Sequence, residues 1–259
     1  MRPGCLKVEG VPPQNVPPPF SRLADVYDAI MSDIAYDAWA AFILQLAQRA
    51  GAELPAPART RLLDLGCGTG NSAAPFVARG MQVVGLDAAE RMLEVARRKL
   101  PEARFVRATF TDFSLPGRFD LVVSVFDALN NLLEPGDLRR CGERVLAHLE
   151  PHGAFVFDVN TTHGLRELWE GGRAEGWVDD VYYLWEHTFD ETTGLAQVVA
   201  YCERGGRSFT EVHVERPYDP PEIEALLRAA GFSSVRAVTY PDADAPTPET
   251  ERVWVVARP

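Results

Sequence analysis

The sequence is short of the features that mark out several large classes of protein. It has four cysteines, Cys5, Cys67, Cys141 and Cys202, scattered without the close pairs that hold zinc or an iron–sulfur cluster and without a paired framework. That excludes cluster-based radical chemistry, gives no metal site, and reads as reduced thiols in an intracellular enzyme. No apolar run is long enough to cross a bilayer and no signal-peptide core lies near Met1, so a soluble, cytoplasmic protein with no membrane partner is expected. Positive charge is scarce as well. The longest basic run is "ARRK" at 96–99 and the formal net charge is −11, which argues against a phosphate-tracking groove and so against nucleic acid as a partner.

What the chain does have is apolar content and alternation. With 259 residues, 46 % of them apolar, it can bury one large core with a small appendage. The first twenty residues, "MRPGCLKVEGVPPQNVPPPF", are Pro-rich and aperiodic and read as a flexible lead-in. From Ser21, the positions Leu23, Val26, Tyr27, Ile30 and Met31 fall at helical spacing. A second helix over 36–50 shows Trp39, Phe42, Ile43 and Leu46 on one face and stops at Gly51.

Short apolar runs at 61–65, 82–86, 104–107, 119–126 and 153–159 then alternate with helical patterns at 72–79, 89–99 and 137–149. This is the pattern of a parallel sheet with crossover helices on both faces. Pro75 fits the first of those helices only within its first turn. Over 161–218 the texture becomes β-rich, with turns at "ETTG" and "RGG", and predicts a three-stranded antiparallel insert. A helix at 220–230 ending at Gly231 and strands at 233–240 and 252–258 close the chain. The predicted division is a lead-in (1–20), N-terminal helices (21–58), a core (59–160 and 219–259) and an insert (161–218).

The chemistry concentrates at "LLDLGCGTGN", residues 62–71. Gly66, Gly68 and Gly70 give G-x-G-x-G, one residue short of the G-x-G-x-x-G of a dinucleotide site, and the Gly-Lys-Ser/Thr ending of a phosphate loop is missing. Asp64 just before the glycines would repel a pyrophosphate. The loop therefore suits a nucleoside that carries no phosphates and is cationic at that end.

This stretch resembles motif I of the class I S-adenosylmethionine-dependent methyltransferases, and "VVGLDAAERML", "FDLVVSVFDALNNLL" and "LAHLEPHGAFVFDV" follow that family's order. "VYDAIMSDIAYDAWAAFI" before the core and "EVHVERPYDPPEIEALLRAAGF" after the insert resemble small-molecule enzymes of the sugar-amine N-methyltransferase type, with an N-terminal helical lid and a β-rich insert. The resemblance implies a Rossmann-like, doubly wound, seven-stranded α/β sheet whose last strand is antiparallel, with S-adenosylmethionine as cofactor. It implies methyl transfer to a small-molecule acceptor, nitrogen being preferred to oxygen on the resemblance alone, by a monomer or homodimer. A non-catalytic module that binds the cofactor as a sensor is the alternative.

The site residues follow on the same basis. Asp64, Gly66, Cys67, Gly68, Gly70 and Asn71 would face the methionine half of the cofactor. Asp87 suits the ribose diol, with Ala88 beside it, and Met92 is core packing within reach of the adenine. Where the family shows an acidic residue for the adenine amino group, this chain has Thr109, followed by Phe110, whose ring can stack. Tyr27 and Tyr36 are either core aromatics or a cover over the cofactor, and Phe126, at the end of the fourth strand, is a further candidate cofactor contact.

On the acceptor side, Asp127, Asn130 and Asn131 sit at the carboxyl edge of a parallel strand, where ligands bind. His213 shares a strand face with Glu211 and Glu215. Candidate catalytic groups are His213, Asp127 and Tyr27, and candidate acceptor contacts are Trp39, Asn130, Asn131 and Glu215.

Overall fold

The computed structural model describes residues 18–169 and 172–259. Most of the lead-in, with Cys5, lies outside the described residues. The helix expected from Ser21 is instead a 3-10 turn, Leu23–Asp25, and a single turn α1 (Tyr27–Ile30), because Val26 between them leaves helical geometry (φ −124°, ψ −6°). Helix α2 (Tyr36–Arg49) follows as expected and ends at Gly51, whose φ of +85° is left-handed.

The core alternates as its apolar runs require. β1 (Arg61–Leu65), α3 (Ala74–Ala78), β2 (Gln82–Asp87), α4 (Glu90–Lys99), β3 (Arg104–Arg107), β4 (Phe119–Ser124), α5 (Asp137–His148) and β5 (Leu149–Asn160) build the parallel part. Pro75 does fall in the first turn of α3, where no backbone donor is lost.

After the insert come α7 (Pro220–Ala229), β10 (Ser234–Val238) and β11 (Arg252–Arg258). The seven strands run in the order β10-β11-β5-β4-β1-β2-β3, with β11 antiparallel to both neighbours. The sheet is thus the doubly wound one expected, its antiparallel strand last. Strand alternation divides the core. Leu63 and Leu65 pack with Val145 of α5 and Leu227 of α7, while Leu62 and Val83 pack with Ile43 of α2, Phe76 of α3 and Leu93 of α4.

The insert holds two elements more than expected, both at its start. Helix α6 (Thr162–Trp169) leads into four strands rather than three: β6 (Arg173–Val178), β7 (Val181–Asp190), β8 (Leu195–Arg204) and β9 (Arg207–Glu215), all antiparallel. β6, "RAEGWV", lacks the apolar alternation that marks a strand. Its pairing with β7 supplies what its side chains do not. Among the described residues no helix is long and apolar enough to cross a membrane.

Candidate active site

The glycine loop leaves the carboxyl end of β1 and is stitched to the end of β2. The N–H groups of Gly66 and Cys67 both donate to Leu86 O, at 2.7 and 3.1 Å. Gly66 takes φ +73°, and a Cβ there would lie 2.8 Å from Ala128 Cβ and 3.0 Å from the Phe110 ring, so only glycine fits. Gly68, at φ +51°, faces open space. Gly70, at φ +85°, packs against Leu100 and Ala96 of α4, so its role is to seat the loop on that helix.

Two carboxylates bracket the loop. Asp64 is wholly buried; its Oδ2 accepts from Ser72 Oγ at 2.5 Å, while Oδ1 has no partner among the described residues. Burial pushes its carboxyl up to about 7 against the lowering effect of Ser72. Asp87 accepts from Gly68 N at 2.9 Å and Ala89 N at 2.8 Å, one bond per oxygen, and burial raises its pKa against these bonds.

A buried carboxylate oxygen with no donor, open space over Gly68, and a second carboxylate at the next strand end fit a nucleoside that brings an ammonium and a diol. Burial, then the charges of Asp64 and Asp87, pushes the Cys67 thiol up, so it is no thiolate nucleophile.

A small cavity of about 30 Å³ opens beside the loop, lined by Gly66 to Thr69, Asn71, Ser72, Val125, Phe126, Tyr27 and Tyr36. The two tyrosines come from the N-terminal segment, which is tied down at its base: Thr69 Oγ1 donates to Asp28 at 2.6 Å, and Lys99 pairs with Asp28 at 2.6 Å and donates to Asn71 at 2.5 Å. Burial raises the Tyr27 hydroxyl well above its usual value, with Tyr36, Asp127 and Asp87 adding to it. Tyr36 is pushed up to about 12, chiefly by burial. Both stay neutral hydrogen-bonding groups. Trp39 stands behind, 5.9 Å from the Tyr36 ring and 5.8 Å from Phe126.

The opposite wall begins where β4 ends. Phe126 and Asp127 both adopt left-handed backbone, φ +61° and +49°, an uncommon conformation for side chains of their size. Asp158, fully buried on β5, holds them there: its carboxylate accepts Phe126 N at 2.7 Å and Asp127 N at 3.1 Å. Arg252 of β11 bridges Asp158 and Asp127, the latter at 2.7 Å, and Asn160 Nδ2 donates to Asp127 at 2.8 Å. Glu215, at the end of β9, joins this group, with one oxygen buried and without a hydrogen-bond partner among the described residues.

Of the residues singled out from the sequence, Tyr27, Tyr36, Gly66, Cys67, Gly68, Asn71 and Phe126 meet around one cavity, with Asp127 at its edge. Others have internal duties. Asn130 is fully buried, donating to Asn160 O and Arg216 O and accepting from Asn160 N, so it ties β5 to the end of β9. Asn131 donates to Ala128 O at 3.2 Å. Met92 is 2 % exposed within the core, Ala88 is exposed with its carbonyl accepting from Arg107, and Thr109 is exposed in a small bridge with Asp112. The Phe110 ring lies over Gly66.

His213 is buried 3.3 Å from Glu211 and 4.4 Å from the Phe20 ring. Glu211 accepts from Phe20 N, Ser21 Oγ, Arg22 N and Leu23 N. This pair fastens the N-terminal segment to the insert and is absent from the cavity lining. Asp158, Asn160 and Arg252 were not legible as site residues. The one signal was a charge inside the apolar run "FVFDVN".

Residues 62–153 match a family described as "Methyltransferase domain". An N,N-dimethyltransferase of Saccharopolyspora spinosa that acts on dTDP-4-amino-2,3,4,6-tetradeoxy-D-glucose is 34 % identical, over 85 % of this chain and 88 % of its own length. The chain belongs to the class I S-adenosylmethionine-dependent methyltransferases. The methyltransferase is also 28 % identical to the putative methyltransferase YqeM of Bacillus subtilis, over 92 % of this chain and 96 % of that one. The S-adenosylmethionine-bound structure of CalS10, an amino pentose methyltransferase of Micromonospora echinaspora, superposes with a TM-score of 0.66 at 25 % identity, covering 90 % of this methyltransferase and 97 % of that chain. The methyltransferase uses S-adenosylmethionine, and the loop, Asp64 and Asp87 are the residues that fit it.

Proposed function

We propose that this methyltransferase transfers a methyl group to an amine nitrogen of a small molecule, with an amino sugar as the first class to try. The observation that carries the reading is the wall facing the glycine loop, where Tyr27, Tyr36 and Phe126, backed by Trp39, form an aromatic surface that ends beside Asp127. Aromatic faces and carboxylates favour a cationic group. The relatives acting on amino sugars support the same class.

In this reading residues 21–58 are a lid over the cofactor, 59–160 with 219–259 are the cofactor-binding core, and 161–218 carry the acceptor side, with residues 1–20 a lead-in. The enzyme works as a monomer or homodimer on a free cytoplasmic metabolite rather than on nucleic acid. S-adenosylmethionine supplies a methyl already activated on a sulfonium. The chain's own residues hold the acceptor in line with it and keep water out, Tyr27 and Tyr36 from above and Phe126 from below. Asp127 orients the amine, and His213 acts indirectly by seating the lid.

The test is transfer of labelled methyl from S-adenosylmethionine to dTDP-4-amino-2,3,4,6-tetradeoxy-D-glucose, with the 4-hydroxy sugar nucleotide alongside. Labelling of the amine alone supports the reading. Labelling of the hydroxyl compound, or of neither, contradicts it.

A further inference from the structure

Around Phe126 and Asp127 the charges do not balance. Three carboxyl groups, Asp127, Asp158 and Glu215, arrive from the β4 loop, β5 and β9, and among the described residues a single guanidinium, Arg252 of β11, serves them. Asp158 and Asp127 each have Arg252 and further donors. Glu215 has less: Arg252 and the Asn160 side chain reach it, but among the described residues its Oε2 is buried with no hydrogen-bond partner, as is Oδ1 of Asn160, whose amide nitrogen serves Asp127.

The cluster is short of positive charge and of donors at one spot. Buried acceptors without donors cost free energy comparable to a lost hydrogen bond each, so the arrangement suits a ligand that carries several N–H groups on a cation.

We propose that Glu215 binds the ammonium of the acceptor and takes one proton from it. The proposal rests on the amine reading above. In this step one N–H bond of the ammonium breaks and an O–H bond forms on Glu215 Oε2. The electron pair stays on nitrogen, which becomes the neutral nucleophile that methyl transfer requires. No oxidant or further reactant enters. Burial, then the neighbouring charge of Asp127, raises the Glu215 carboxyl well above its usual range, with Asp158 adding and Arg252 and Asn160 opposing; the ionised form, whose share grows with pH, is the one that takes the proton. Glu215 shares its strand face with His213 and Glu211, but those two are engaged with Phe20 to Leu23.

The test has two arms, each read in wild type and E215Q, the first with both saturated with S-adenosylhomocysteine and the second with S-adenosylmethionine as methyl donor. The first compares melting at pH 8 in methylammonium chloride and in sodium chloride at matched concentration. Methylammonium should raise the wild-type Tm by about 2–4 °C over sodium, with the excess lost in E215Q. No excess in wild type, or equal excess in both, overturns the proposal. The second arm follows methyl transfer to the amino-sugar nucleotide across pH. E215Q should lower kcat by about 10²–10⁴-fold near pH 7 and recover as pH rises and free amine accumulates. Parallel pH profiles overturn the proposal. If wild type leaves that acceptor unmethylated, the amino-sugar reading fails by itself and the melting arm alone decides Glu215. If E215Q does not fold, E215D, which keeps the charge but withdraws it, should give an intermediate loss in both arms, and a loss in neither overturns the proposal.

Discussion

Asp64 lies in an apolar strand with one oxygen unpartnered, and its carboxyl is pushed up to about 7 by burial. The ammonium of the cofactor needs the ionised form. Affinity for S-adenosylhomocysteine should therefore be flat above about pH 7 and weaken by up to about tenfold per pH unit below it. Calorimetric titrations from pH 5.5 to 8.5 check this, and Asp64→Asn should flatten the profile at the weaker level. In the free protein the sign reverses. A carboxyl whose folded pKa is raised is tolerated best when protonated, so its contribution to stability declines as pH rises from about 4 to about 7. At this scale much of the cofactor half was legible, because the glycines, Asp64 and Asp87 are neighbours in sequence. The acceptor half was less so. Asp158, Asn160 and Arg252 come together only when β5 pairs with β11, with Arg252 opposite Asn160, and single-sequence reading sees only isolated polar residues in apolar strands.

The alternation of strands and helices was readable because each core element buries an apolar face of fixed period. The insert was harder. β6 is Arg-Ala-Glu-Gly-Trp-Val and has no such face, and α6 lies in a stretch taken wholly as β. The placement of α6 is nevertheless demanding: a Cβ on Gly164 would lie 2.0 Å from Glu251 O, on the backbone just before β11. Gly164→Ala should push the helix off that segment and cost about 1–3 kcal/mol, measured by denaturant unfolding. An unchanged midpoint would contradict the packing.

The joint between insert and N-terminal segment makes a second test. Glu211→Ala strands the backbone donors of Phe20, Arg22 and Leu23, at about 1–3 kcal/mol for each one left buried without a partner. Limited proteolysis should then cut within residues 18–35 far faster than in wild type. Equal cutting rates would mean that the segment is held elsewhere.

At the scale of the whole molecule, the sheet order brings the glycine loop after β1 and the strained pair after β4 to adjacent strands at one edge. The N-terminal segment covers the first and β9 approaches the second. Cofactor at one strand end and acceptor at the next is the division the topology favours. Everything on the acceptor side presumes that the loop binds this cofactor through Asp87.

That presumption is tested most directly by calorimetric titration with S-adenosylhomocysteine, with NADH in parallel, on wild type and Asp87→Ala. The account predicts micromolar binding of S-adenosylhomocysteine alone, weakened about 10- to 100-fold in the variant, as expected for charge-assisted bonds of about 1.5–3 kcal/mol. NADH binding, or wild-type and variant affinities that coincide, would contradict it.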